Sequence, residues 1–109
     1  MATEFTDANF AKEVEQFQGV TMIDFWAPWC GPCKVQGPIV QTLATEFASN
    51  PNLKIGKVNV DDNPIVGEKY QILSIPTIKF FKAGKVIDEL IGLQSKDSLT
   101  KRLQVHIGA

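Results

Sequence analysis

The stretch FWAPWCGPCK, residues 25–34, holds both cysteines of the chain, Cys30 and Cys33, two residues apart. Thiols paired at that spacing serve as a structural staple, a metal clip or a redox couple. The staple fits poorly. In the chain-entropy treatment a disulfide constrains the unfolded chain less when its loop is short, and this loop falls below the ~3 kcal/mol of a 15-residue one. A structural zinc site wants four ligands, usually a second cysteine pair or two histidines. The chain has no further cysteine, and its one histidine, His106, lies three residues from the C-terminus, where a solvated side chain is expected. The redox couple suits the local chemistry. VTMIDFWA, residues 20–27, is an apolar run that reads as a buried strand, and a helix is expected to start at about Cys30. Pro32 in the first helical turn costs no intrahelical bond, because those N–H groups have no partner anyway. Positions i and i+3 then face the same side at a separation a disulfide can span. The helix N-terminus favours an anion and so stabilises a Cys30 thiolate. Cys33, one turn deeper, is expected to be less accessible. That asymmetry makes Cys30 the attacking nucleophile and Cys33 the resolving thiol.

Outward from this stretch the pattern alternates between helix and strand. TDANFAKEVEQF, residues 6–17, offers Thr6 or Asp7 as an N-cap and sets Phe10, Val14 and Phe17 on one helical face. Residues 33–48 place Val35, Ile39, Leu43 and Phe47 at four-residue steps, interrupted by Gly37 and by Pro38, which is expected to kink the helix. LKIGKVNV reads as a second buried strand, and Asn63-Pro64 as a helix start. TIKFF and VIDELI flank KAGK, a hairpin with Gly84 in its turn. Ser95 opens a last helix striped by Leu99, Leu103 and Ile107, and a short first strand is expected near Glu4 and Phe5. Phe10, Phe17, Phe47, Phe80, Phe81 and Trp26 are most simply core. Strands separated by helices favour parallel pairing, whereas the closing hairpin must be antiparallel. The expected class is α/β, with a central mixed sheet and helices on both faces, formed by residues 1–109 as a single domain.

With 44% hydrophobic residues in 109, the chain can bury a core without disulfides. Its net charge of −1, with the lysines and arginines scattered, gives no pull toward nucleic acid or an anionic membrane. No apolar run approaches the roughly 20 residues of a membrane span. MATEFTDANF lacks the basic and apolar regions of a secretory signal, so a cytoplasmic location is expected.

WAPWCGPCK resembles the active-site segment of the thioredoxin family, and the resemblance runs along nearly the whole chain. DFWA precedes the motif, KVNVDDNP follows the central helix, SIPT opens the strand before FFKAGK, and LIG ends the last strand. The resemblance implies the thioredoxin fold and a general protein-disulfide reductase that needs no metal and no bound cofactor. It implies thioredoxin reductase as the partner that restores the dithiol. The clients it implies are disulfide-containing enzymes such as ribonucleotide reductase, peroxiredoxin or methionine sulfoxide reductase, served by a monomer acting as electron donor. Asp24 is the one charge inside VTMIDFWA, and desolvation raises the pKa of a carboxylate in such a strand. The residues alone leave a structural pairing equally open; the resemblance assigns Asp24 to proton transfer toward Cys33. Lys57 on its own reads as a lysine that snorkels to a solvated edge; the resemblance places it near that carboxylate, where it would modulate its pKa, and Pro38 is named with it as a supporting residue. Pro76 would be trans by default, and the resemblance makes it cis, facing the disulfide and barring a metal from the two thiols. Ile75 would then pair with an extended client segment. Trp29, in the loop before the helix, is expected to be partly exposed and to shield the disulfide. Gly92 reads equally as a plain turn glycine or as a point where a client backbone approaches closely. With Gly31 and Pro32 they complete the candidate client-contacting rim. Two positions depart from the family pattern: Gly37, where alanine is frequent, and Leu73, in a loop expected to flank the site.

Two rival readings share these residues. An oxidase or isomerase would gain from a histidine between the cysteines, and Gly31-Pro32 supplies none. A binding module could use the rim of Trp29, Ile75 and Gly92 without turnover, although the presence of both cysteines weakens that reading.

Overall fold

The computed structural model describes residues 2–108. In chain order the elements are β1 (Thr3–Glu4), a π-helical turn (Ala11–Glu15), β2 (Val20–Trp26), α1 (Gly31–Glu46), β3 (Leu53–Asn59), α2 (Pro64–Lys69), β4 (Thr77–Lys82), β5 (Lys85–Ile91) and α3 (Lys96–Gly108). The strands form one mixed sheet in the order β1-β3-β2-β4-β5. β3 runs parallel to both β1 and β2, while β4 is antiparallel to β2 and to β5.

Alternation along the strands decides the layering. Val20 and Met22 of β2, with Leu53 and Ile55 of β3 and Ile78 and Phe80 of β4, pack against Val40 and Leu43 of α1 and Leu99 and Leu103 of α3. The odd-numbered Ile23 and Phe25 turn the other way, onto a second core with Phe5, Phe10, Val14, Val66 and Phe81. By the same alternation Asp24 and Lys57, which are register partners in the parallel β2–β3 pair, lie on the face covered by α1.

The local signals hold with specific corrections. Thr6 rather than Asp7 caps the first turn: its Oγ1 accepts the Asn9 N–H at 3.2 Å, and its own N–H donates to Asn9 Oδ1 at 2.7 Å. Asp7 instead caps α2, accepting from Val66 N–H at 2.9 Å and Ile65 N–H at 3.3 Å, where Asn63 makes no side-chain cap bond of its own. The buried stripe of α1 is Cys33, Gln36, Val40, Leu43 and Ala44, and Val35 is 53% exposed. A four-residue step overshoots a helical turn by about 40°, so a stripe counted in fours drifts from solvent onto the core. The helix is continuous through Pro38. Phe10, Phe80 and Phe81 are core, whereas Phe17, Phe47 and Trp26 are only half-buried. The hairpin turn places Ala83 and Gly84 at φ 52° and 79°, the two left-handed positions of the turn that matches strand twist. A Cβ on Gly84 would also collide with the Glu15 carbonyl oxygen. Ser95 caps α3, accepting the Ser98 N–H at 3.1 Å. His106 is not solvated. Its Nε2 lies 2.8 Å from Asp88 Oδ2, its ring tilts on Phe80, and Arg102 donates twice to the same carboxylate.

Candidate active site

Strand register brings the expected residues to one end of the sheet. Phe25 pairs with Thr77, and Thr77 pairs with Ile91. The exit of β2, the entry of β4 and the exit of β5 therefore coincide. The segments that follow or precede them carry Trp29–Cys33, Ile75-Pro76 and Gly92.

Cys30 is the N-cap of α1, in an extended conformation at φ −86° and ψ 114°, and its Sγ accepts the Cys33 N–H at 3.2 Å. Pro32 sits in the first turn, where it removes no helical hydrogen bond. The two sulfurs are joined as a disulfide, with Cα atoms 5.3 Å apart. Both cysteines are buried to nearly the same degree, 5% and 4% exposed, so accessibility does not rank them in this oxidised state. What distinguishes them is position: Cys30 Sγ faces a first-turn N–H of the helix, and Cys33 lies within that turn. Gly31 and Pro32 are exposed.

Asp24 is 1% exposed, and its Oδ1 has no hydrogen-bond partner within the protein. Burial pushes its carboxyl from 3.8 up to about 7, and the Lys57 charge pulls the other way. The Lys57 ammonium is paired with Glu4 at 3.5 Å and lies over the Trp26 ring, so it acts on Asp24 through its field. Asp24, Lys57, Cys33 and Pro38 line one cleft of about 380 Å³ beside α1. An acid titrating near neutral pH thus shares a solvent-sized space with the inner cysteine.

The rim is apolar and open. Trp29 is 70% exposed, held by its indole N–H, which donates to Asp61 Oδ2 at 2.9 Å. The Ile75–Pro76 bond is cis. Pro76 is buried and its carbonyl accepts the Gly92 N–H at 2.9 Å. Among the described residues no backbone group engages the N–H or C=O of Ile75. Gly92 has φ +89°, and a Cβ there would meet nothing within 4 Å. Backbone conformation demands the glycine, and the space above it is free.

Sequence reasoning missed Gln36. It is fully buried in α1 and bonds the main chain of Gln94 twice. A polar residue interrupting the buried stripe of a helix was the only available signal. Leu73, at 93% exposure, is the most exposed large apolar side chain among the described residues.

The sequence model of the thioredoxin family matches residues 1–105. A thioredoxin of Pyropia yezoensis is 43% identical over 105 residues, covering 96% of each chain. Thioredoxin 2 of Chlorobaculum tepidum is also 43% identical, over 96% of this chain and 94% of its own. A thioredoxin of Staphylococcus aureus is 41% identical over 102 residues, 94% of each. With a mixed five-stranded sheet and a Cys-X-X-Cys disulfide at a helix start, the chain belongs to the thioredoxin family of protein-disulfide oxidoreductases.

Proposed function

We propose that Cys30 is the nucleophile, Cys33 the resolving thiol and Asp24 the proton acceptor of a general protein-disulfide reductase. The observation that carries this reading is the buried Asp24, with an unsatisfied oxygen, sharing a cleft with Cys33. In the reduced protein the Cys30 thiolate, stabilised at the start of α1, attacks one sulfur of a client disulfide. The client S–S bond breaks, its far sulfur leaves as a thiolate, and a mixed disulfide forms. Asp24 takes the Cys33 proton through the cleft. The Cys33 thiolate attacks Cys30 Sγ, the second client sulfur leaves, and the Cys30–Cys33 disulfide remains. The client gains two electrons and this protein loses two.

Lys57 tunes Asp24 by its charge, and Pro38 walls the cleft. Trp29, Gly31, Pro32, Ile75, Pro76 and Gly92 form the client rim. The free main chain of Ile75 suits strand addition by an extended client segment, and open space above Gly92 suits its close approach. Family membership brings thioredoxin reductase and disulfide-bearing clients as partners. Ribonucleotide reductase, peroxiredoxin and methionine sulfoxide reductase are the clients we propose. Residues 1–109 act as one domain and as a monomer, because a one-to-one mixed disulfide needs the rim free. The electron-donor role requires a compartment that keeps thiols reduced, which the cytoplasm provides.

The test is alkylation and trapping. In the reduced protein iodoacetamide should modify Cys30 much faster than Cys33, and Cys33→Ser should accumulate mixed disulfides with clients. Equal alkylation rates, or no trapped complexes, would reverse the assignment.

A further inference from the structure

We infer that Gln36 is a positioning residue for client docking, its buried amide clamping the Gly92–Gln94 segment against the active-site helix. The inference rests on the reductase reading above and adds the device that holds its rim in shape. Gln36 is three residues beyond Cys33, on the buried face of α1 that carries that cysteine, and is 0% exposed. Its Nε2 donates to the Gln94 carbonyl at 3.1 Å, and its Oε1 accepts the Gln94 N–H at 2.7 Å. Both side-chain bonds therefore close on one residue 58 positions away, imitating the pairing of two strands. A buried amide is costly unless its hydrogen bonds are made, and here they are spent on a segment outside any helix or strand.

That segment leads directly to the rim. The Gln94 side chain donates to the Gly92 carbonyl at 3.4 Å and accepts from Ser98 Oγ at 3.0 Å. Gly92 N–H in turn donates to the Pro76 carbonyl. A continuous path thus joins the helix bearing the disulfide to Gly92 and to the cis-proline loop. Ile91 and Leu93, which flank Gly92, are 62% and 48% exposed and present apolar surface beside it. Holding this strap in place before a client arrives removes the ordering cost that docking would otherwise carry. The thiol chemistry itself does not pass through Gln36.

The experiment has two arms. In the wild-type protein the Gln94 amide hydrogen should exchange slowly, as a paired strand amide does, although it lies in a loop; rapid exchange overturns the inference. For reduction of insulin, Gln36→Met keeps the volume and loses both bonds, and should raise KM about threefold to tenfold with kcat within about twofold. Gln36→Glu keeps the acceptor and loses the donor, and should fall between. Reaction with a small aromatic disulfide, which makes no use of the strap, is the control that reads the thiols alone. A wild-type KM for insulin in both variants overturns the inference. Absence of insulin reduction by the wild-type protein would remove the reductase reading instead.

Discussion

Asp24 is the residue whose placement runs most clearly against its solubility. Its neighbours Met22, Ile23 and Phe25 are fully buried, and no protein donor reaches its Oδ1. Such a group is kept neutral by desolvation until the pH approaches its raised value of about 7. The carboxylate that then appears is an effective acceptor for a thiol proton. Asp24→Asn should therefore slow release of client from a preformed mixed disulfide by about 10- to 100-fold near pH 7, at or below the usual contribution of a general base. Attack by Cys30 should change little. The wild-type release rate should rise through about pH 7, following Asp24, and the variant should lose that inflection. Lys57→Met removes the charge that lowers the Asp24 value, so its inflection should move to higher pH. Stopped-flow measurement of release across pH 5–9 separates these outcomes, and identical profiles in all three proteins would leave Asp24 a structural residue. The Cys pair and Asp24 were legible because each breaks a local pattern: two thiols in one turn, one charge in an apolar strand. The nearness of Lys57 to Asp24, which the parallel register realises, and the cis geometry of Pro76 both needed the family resemblance, since neither a mid-strand lysine nor a proline's own sequence context, which favours trans, announces it.

At the scale of elements, the order of helices and strands followed from apolar periodicity and turn residues, because those signals act between neighbours in the chain. Apart from the drift of the α1 stripe, what stayed unread are partnerships with residues far away in the chain. Asp7 is an adequate N-cap for its own turn, yet its carboxylate satisfies the two N–H groups at the start of α2, 58 and 59 residues on. Its own N–H donates to Asn63 Oδ1 at 2.9 Å, so the two segments are cross-linked in both directions. Gln36 was missed for the same reason, its partner Gln94 lying on a loop that no periodicity marks. His106 likewise found Asp88 on β5, although its position near the chain end suggested water. A six-residue helix depends on its cap more than a long one, because few internal bonds hold it. Asp7→Ala should cost about 0.5–2 kcal/mol of stability, the usual range for a lost N-cap, read as a lower urea midpoint with unchanged slope. Asn at the same position should recover most of it. An unchanged midpoint for Asp7→Ala would mean that water caps α2 equally well.

Across the whole molecule, helices on both faces and a mixed sheet could be foreseen from the βα alternation and the closing hairpin. The strand order could not, because it depends on which crossover packs each apolar face best. That order puts ionisable links on both sides of the sheet, and together they set how stability varies with pH. Hydrogen bonds from Lys69 and Tyr70 hold Glu15 below its ordinary value against the effect of burial, tying the first turn to the end of α2. Burial pushes Asp88 up, but His106 and Arg102 outweigh it and hold the carboxyl low, tying β5 to α3. A carboxylate with a depressed folded pKa stabilises above its unfolded value, near 4, and loses that contribution as pH falls through the folded one. Asp24 is the reverse case. Its folded value is raised to about 7, so the unfolded chain releases this proton first, and stability declines as pH rises from about 4 to about 7 and then levels off. The opposing limbs place maximal stability of the oxidised protein at about pH 5, on the acid side of neutral. The loss from there to pH 8 should be roughly 2–3 kcal/mol, because about two pH units separate the maximum from the raised Asp24 value and each is worth about 1.36 kcal/mol. Asp24→Asn should abolish the neutral limb and be more stable than wild type at pH 8, while Asp88→Asn should flatten the acid limb and leave the neutral one intact. Urea unfolding of the three proteins between pH 3 and pH 8 reads both limbs. A neutral limb that survives in Asp24→Asn would show that the buried carboxyl is not the group whose ionisation the fold resists.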